Sequence, residues 1–304
     1  MNGELKAKRR RLWKILEALP SAVVAYSGGV DSTLLSYAAR EVLGDRMLAV
    51  LVSSPLMPPR EIDRAARLAG KLGFPLLVLD CDELSLGGFS DNPRERCYLC
   101  KKHRLVLLGG LAVSRGLKAI LEGGNLDDAH TFRPGRKAVL EEGCLSPLEE
   151  AGLTKRDVRE MARELGLPNW DAPSRPCLAT RFPYGARLDR ETMRRVDAAE
   201  EFLEGLGWRE FRVRLEGPEW ARIEAGEEET SSLLRGENVG ALSDKFQDLG
   251  FRRVDLDLEG YRSGSMDLER SERKVLVLFG EGECRAYDLP SATGTGDGEG
   301  FPMR

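Results

Sequence analysis

Two short stretches carry residue types that could do chemistry. In Ser27-Gly28-Gly29-Val30-Asp31-Ser32 a β-branched strand gives way to a helix through two glycines and two hydroxyls. A helix N-terminus leaves backbone N–H groups unpaired and partly positive, and glycine lets that backbone approach an anion closely, so this is a cradle for phosphate. The pattern is neither Walker A nor the dinucleotide fingerprint. Asp31 beside a phosphate calls for a magnesium ion between them. The bland alternative is a Gly-Gly turn with a polar cap. The second stretch, "NPRERCYLCKKH", spaces Cys97 and Cys100 as C-x-x-C among basic residues, compatible with zinc, an iron-sulfur cluster or a redox pair. A third thiol, Cys177, lies between Arg175 and Arg181, cations that favour a thiolate suited to a nucleophile or a ligand. With only two histidines in the chain, a structural zinc site is the weaker option.

These groups need a scaffold. Strand and helix patterns alternate after an amphipathic first helix bearing Leu12, Ile15, Leu16 and Leu19, which predicts a parallel sheet covered on both faces. Strands are expected at 22–26, 47–53, 76–79 and 119–122, and helices near 32–42, 59–72 and 101–115. Thr154 reads as the N-cap of a further helix. Gly123, Gly124 and Asn125 follow the fourth strand, where a doubly wound sheet lines its ligand crevice. Asp127 and Asp128 suit a metal or a helix cap equally, and Arg133, Arg136 and Lys137 suit phosphate or plain surface. A Pro-rich crossing over 171–187 leads to a second, smaller α/β unit with a helix over 190–206 and short strands near 211–215, 221–224, 253–258 and Lys274. The expected division is 1–178, 179–288 and a Gly-rich, disordered tail over 289–304.

The bulk numbers fit that picture. The 304 residues are 41% hydrophobic and 32% charged, an ordinary globular balance. A net charge of -4 gives no overall pull on nucleic acid, and no apolar run reaches the roughly 18 residues needed to span a bilayer. A cytoplasmic protein with reduced thiols is expected, in which Cys81, Cys144 and Cys284 are core residues.

"SGGVDS" resembles the signature of the PP-loop, or N-type ATP pyrophosphatase, superfamily. That resemblance implies a Rossmann-like domain in which ATP is cleaved between its α and β phosphates, a substrate is adenylylated and pyrophosphate leaves. Together with "NPRERCYLCKKHR", "GGNLDDAHTFRPGRKA", "SPLEEAGLTKRDVREMARELGLPNWDAPSRPCLATRFPYG" and "DLEGYRSGSM", it resembles the LarE family of ATP-dependent sulfur transferases over residues 12–267. The family resemblance implies adenylylation of a carboxylate of pyridinium-3,5-biscarboxylic acid mononucleotide and replacement of an oxygen by sulfur, in making the nickel-pincer nucleotide cofactor of lactate racemase. It implies ATP on Ser27, Gly28, Gly29, Asp31, Ser32, Ser53, Gly124 and Asn125, with magnesium on Asp31. Cys177 matches the sulfur-bearing cysteine. Some members sacrifice that thiol and become dehydroalanine; others carry Cys97, Cys100 and Cys177 and hold a 4Fe-4S cluster. All three are present, and the sacrificial route leaves the C-x-x-C unexplained.

Arg212 and Arg214 alternate on a strand and share one face, where the family places a substrate phosphate. Family members often continue this strand with two histidines, where this chain has Leu215 and Glu216. Arg181 and Tyr184 are candidates for substrate contact, Glu200 for proton transfer, and a homo-oligomer of trimers or hexamers is implied. Competing expectations are a tRNA thiolase, an amidating ligase and a non-catalytic nucleotide sensor.

Overall fold

A computed structural model describes residues 3–129, 134–262 and 275–280. Arg133, His130, Cys284 and the tail over 289–304 lie outside these residues. The elements run α1 (Gly3–Glu17), β1 (Ala22–Tyr26), α2 (Val30–Leu43), β2 (Met47–Ser53), α3 (Pro59–Leu72), β3 (Leu76–Asp80), α4 (Arg96–Arg115) and β4 (Ala119–Leu121). Then come α5 (Leu126–Ala129), α6 (Pro134–Glu141), α7 (Pro147–Glu150), α8 (Lys155–Glu164) and α9 (Arg190–Gly205). The chain continues with β5 (Phe211–Gly217), β6 (Trp220–Ala225), α10 (Glu227–Leu234), α11 (Val239–Asp248), β7 (Arg253–Asp257) and β8 (Val275–Phe279).

The first sheet is wholly parallel in the order β3-β2-β1-β4. Its central strand reads AVVAY because a strand covered on both faces has no solvent side. Ala22, Val24 and Tyr26 point into a core shared with Leu12 and Leu16 of α1, Leu34, Leu35 and Ala38 of α2, and Val158 and Met161 of α8. Val23 points the other way, toward Leu105, Leu108 and Ala112 of α4 and Ala138 and Val139 of α6. Each fully buried leucine contributes about 1.5–3 kcal/mol. Helices on both faces leave the carboxyl ends of β1, β2 and β4 free to carry a site.

One helix starts earlier than its apolar pattern predicts. The expectation of 101–115 follows the apolar face, whereas α4 begins at Arg96 and gains a turn holding both cysteines of the C-x-x-C. That turn is stabilised by polar contacts: buried Arg96 donates to Asn92 Oδ1 at 2.9 Å, and Tyr98 donates to Glu141 Oε2 at 2.7 Å.

The chain divides into two compact units, Met1–Glu201 and Phe202–Arg304, so the crossing over 171–187 belongs to the first. The second unit has a mixed sheet in the order β5-β6-β7-β8, with β6 and β7 parallel and the outer pairs antiparallel. Among the described residues no helix is long and apolar enough to cross a membrane.

Candidate active site

The loop after β1 is tied to itself. Ser27 N–H donates to Ser32 Oγ at 3.1 Å, the two hydroxyls lie 3.1 Å apart, and Ser32 Oγ reaches Gly29 O at 3.1 Å. Gly29 caps α2 without any side-chain bond, so the first amides of the helix have no side-chain cap. Gly28 is glycine for two reasons: its φ is +78°, and a β-carbon there would stand 2.8 Å from Ala65 Cβ on α3. Gly123 also lies close to the loop, where a β-carbon would stand 3.1 Å from Ser32 N. The loop and the β4 glycines thus face each other.

Between them lies a cavity of about 290 Å³, lined by Ser27, Gly29, Asp31, Ser32, Gly123 and Gly124, with Lys101, Arg104 and Glu122 opposite. Ser53 lines a neighbouring cavity of about 590 Å³ instead, and Met57 is common to both. Asp31 is held by an ion pair with Lys155 and by Asn125 Nδ2 at 3.2 Å. Asn169 Nδ2 donates to Gly28 O at 2.9 Å, fastening the loop from a third side. Asp127 and Asp128 act as caps: Asp127 Oδ2 accepts Lys155 N–H at 2.8 Å, and Asp128 Oδ2 accepts Asn125 N–H at 3.2 Å. Arg136 forks onto Glu149. Glu122 accepts from Lys101 Nζ at 2.9 Å, Ser146 Oγ at 2.6 Å and Gly124 N–H at 3.0 Å. Burial pushes its carboxyl up, but Lys101, Ser146 and the Gly124 amide outweigh that and hold it below its ordinary value.

The C-x-x-C lies on the helix that lines this cavity through Lys101 and Arg104. Cys97 and Cys100 sit three apart on the first turn of α4, while Cys177 precedes a short 3-10 turn, Leu178–Arg181. Burial pushes the Cys100 thiol up to about 12; Arg104 pulls it down, and Glu83, Cys177 and Cys97 add to the rise. Cys97 and Cys177 thus each lie within electrostatic reach of Cys100. Asn92 joins the two segments. It is buried in a left-handed conformation with φ 49°, and its Nδ2 donates to Phe182 O at 3.2 Å and Pro183 O at 2.8 Å. Its carbonyl accepts Gly185 N–H at 3.1 Å. Cys81 and Cys144 are buried, as expected of core thiols.

Comparison with known proteins bears on this arrangement. Residues 15–94 match the NAD synthase family model. The pyridinium-3,5-bisthiocarboxylic acid mononucleotide synthase of Lactiplantibacillus plantarum is 39% identical over 264 residues, 86% of this chain and 95% of that protein. The chain belongs to the LarE family. An uncharacterized protein of Synechocystis is also 39% identical, over 86% of this chain and 98% of its own length. A glutamine-hydrolyzing GMP synthase of Aeropyrum pernix is 28% identical over 63% of this chain and 42% of its own. As a LarE-family protein the chain is an enzyme of the ATP-using PP-loop class, an ATP-dependent sulfur transferase.

The remaining expected residues have definite places in this LarE-family fold. Arg181 and Glu200 form a buried two-point ion pair at 2.9 Å and 2.9 Å, with side chains 4% and 6% exposed. Arg181 Nη1 also donates to Pro176 O at 2.8 Å and Cys177 O at 3.3 Å, so it pins the Cys177 backbone. Tyr184 lies under Arg96, whose guanidinium carbon is 4.2 Å from the ring centre. In the second unit, Arg212, Arg214, Arg222, Glu224, Asp255 and Asp257 share one buried face. Arg214 is held by Glu224 Oε2 at 2.8 Å and Arg212 stacks on Tyr261 at 4.8 Å. Glu216 accepts from Arg222 Nε at 2.8 Å. Residues not singled out from the sequence are Lys101, Arg104, Glu122 and Lys155, all lining the cavity or paired to its wall. In the sequence Lys101 and Arg104 are two cations in a basic run, and only their i+1 and i+4 spacing from Cys100 hinted at more.

Proposed function

We propose that this enzyme activates a carboxylate of pyridinium-3,5-biscarboxylic acid mononucleotide with ATP and replaces an oxygen by sulfur, on the way to a nickel-pincer nucleotide cofactor. The observation that carries the reading is a cavity built on a phosphate-cradling loop and walled by Lys101 and Arg104 of the helix that bears Cys97 and Cys100. ATP binds with its phosphates at Ser27, Gly29 and Ser32, whose amides and hydroxyls offer hydrogen bonds to anions. Asp31 takes the magnesium of MgATP once Lys155 moves from the carboxylate to a phosphate. The substrate carboxylate attacks the α-phosphorus, the bond to the β-phosphate oxygen breaks, and pyrophosphate departs with the electron pair. Lys101 and Arg104 offset the charge on the cavity's far side. Arg181 and Glu200 hold Cys177 toward the acyl group.

The donor set suits an iron-sulfur cluster. Cys97 and Cys100 share the first turn of α4, Cys177 would supply the third thiolate, and Arg104, one turn on from Cys100, would offset an anionic cluster. Among the described residues no three His, Cys, Asp or Glu side chains converge on a single ion. A cubane has the looser requirement, because its thiolates bind different irons. Cys97, Cys100 and Cys177 would hold it. When bound, such a cluster would supply sulfur without consuming the protein's own thiols.

The test pairs iron and acid-labile sulfide content after anaerobic reconstitution with ATP-dependent thiocarboxylate formation. About four irons per chain, lost in Cys97→Ala, together with repeated turnover supports the cluster. Iron-free protein whose Cys177 loses the elements of hydrogen sulfide after one turnover supports sacrifice of that thiol. Wild-type protein that forms no thiocarboxylate by either route refutes the assignment.

A further inference from the structure

Among the described cations around the cavity, Arg104 is the one anchored at two nitrogens, to the Glu83 carboxylate and to Ser54, with a third nitrogen left over. Lys101 is committed to Glu122, Lys155 to Asp31, and Arg136 to Glu149. Arg104 extends from α4 one turn beyond Cys100 and lines the nucleotide cavity. Its Nε donates to Glu83 Oε1 at 2.6 Å and its Nη2 to Ser54 Oγ at 3.0 Å. Both anchors are buried, Glu83 completely, so the plane of the guanidinium is set. Its Nη1 has no partner among the described residues.

The place is a junction. Ser54 lines the neighbouring cavity of about 590 Å³, together with Leu178 next to Cys177. Met57 lines both cavities, and the Ser54–Arg104 bond crosses from one to the other. Cys100 and Cys177 both act electrostatically on Arg104. A nucleotide in the smaller cavity and an acceptor in the larger one would meet at this guanidinium, within reach of the sulfur.

We infer that Arg104 is a catalytic residue of the sulfur-transfer step, its Nη1 holding the phosphate oxygen of the departing AMP, with Glu83 and Ser54 as positioning residues. This rests on the function proposed above. The sulfur nucleophile, a thiolate or hydrosulfide, gives its electron pair to the acyl carbon and forms the C–S bond. The C–O bond to AMP breaks, and its electron pair moves onto the phosphate oxygen. Negative charge grows at that oxygen only in this step, so a fixed guanidinium there stabilises the transition state more than the ground state. A lysine could supply the charge but not the two-anchor geometry.

The experiment is a rapid-quench single turnover with labelled ATP and pyridinium-3,5-biscarboxylic acid mononucleotide, following pyrophosphate and AMP separately. In Arg104→Gln, AMP release should slow about 10²–10³-fold more than pyrophosphate release, the cost of losing one such donor, and acyl-adenylate should accumulate. Arg104→Lys should recover part of that loss, and Ser54→Ala should lose less. Circular dichroism checks folding; if Arg104→Gln fails it, the Lys and Ser54 variants carry the test. Pyrophosphate and AMP release falling together, or neither falling, overturns the role. A wild-type enzyme that releases no acceptor-dependent pyrophosphate overturns the underlying function instead, and this role with it.

Discussion

The Arg181–Glu200 pair separates two roles that the sequence leaves open, contact with substrate and support of the Cys177 loop. Both side chains are nearly inaccessible and joined by two hydrogen bonds of 2.9 Å. Arg181→Ala strands the Glu200 carboxylate in a low-dielectric site, a change that costs about 3–5 kcal/mol. With a urea slope of about 3 kcal/mol/M, that moves the unfolding midpoint down by about 1–2 M. Replacing both partners together, Arg181→Met with Glu200→Leu, removes the charges as well as the bonds and should cost far less than the single change. The same Arg181 releases the carbonyls of Pro176 and Cys177, so alkylation of Cys177, followed by peptide mass mapping, should accelerate in Arg181→Ala. The assay is urea unfolding of all three variants beside that mapping. Arg181→Ala that unfolds at the wild-type midpoint, with unchanged Cys177 labelling but no sulfur transfer, would refute the supporting role and return Arg181 to the substrate.

Two further outcomes are expected. Gly28→Ala forces a left-handed β-carbon toward Ala65 and should cost about 1–2 kcal/mol from backbone strain alone; thermal unfolding beside acceptor-dependent pyrophosphate release checks it, and wild-type values for both would contradict the close approach. Glu122 titrates below its ordinary value in the folded protein, so as pH falls the unfolded chain takes up the proton first. Its stabilisation is present above about pH 4.5 and drains away as pH falls through the folded value, so the gap in urea midpoint between wild type and Glu122→Gln should hold above about pH 5 and narrow below about pH 4.5; a gap that does not narrow there would contradict that.

The parallel sheet was legible because its strands carry continuous apolar runs bounded by glycine and proline, as in Ala22–Tyr26 and Met47–Ser53. The loop at Ser27–Ser32 was legible because glycines and hydroxyls in that order serve few structural ends. The first turn of α4 was not, since Arg96 and Tyr98 are held by polar contacts rather than by periodic apolar residues. Pairings across long sequence separation were equally hidden. Asp31 meets Lys155, and Arg104 meets Glu83 and Ser54, only because the sheet brings three loops to one edge. Residue type marked Arg181 and Glu200 as interesting, but only the fold shows that they face each other.

Asn92 ties the segment before Cys97 to the segment after Cys177 through one amide and one carbonyl. The segments that carry Cys97 and Cys177 are therefore joined by the polypeptide's own hydrogen bonds, in contrast to small metal-folded domains whose chains come apart when the metal leaves. Segments tied this way hold their relative positions whether or not a group is bound between them. The join lies outside the chemistry and is shared with Ser90, whose carbonyl accepts Leu188 N–H at 2.7 Å, and with Arg96 stacked on the Tyr184 ring.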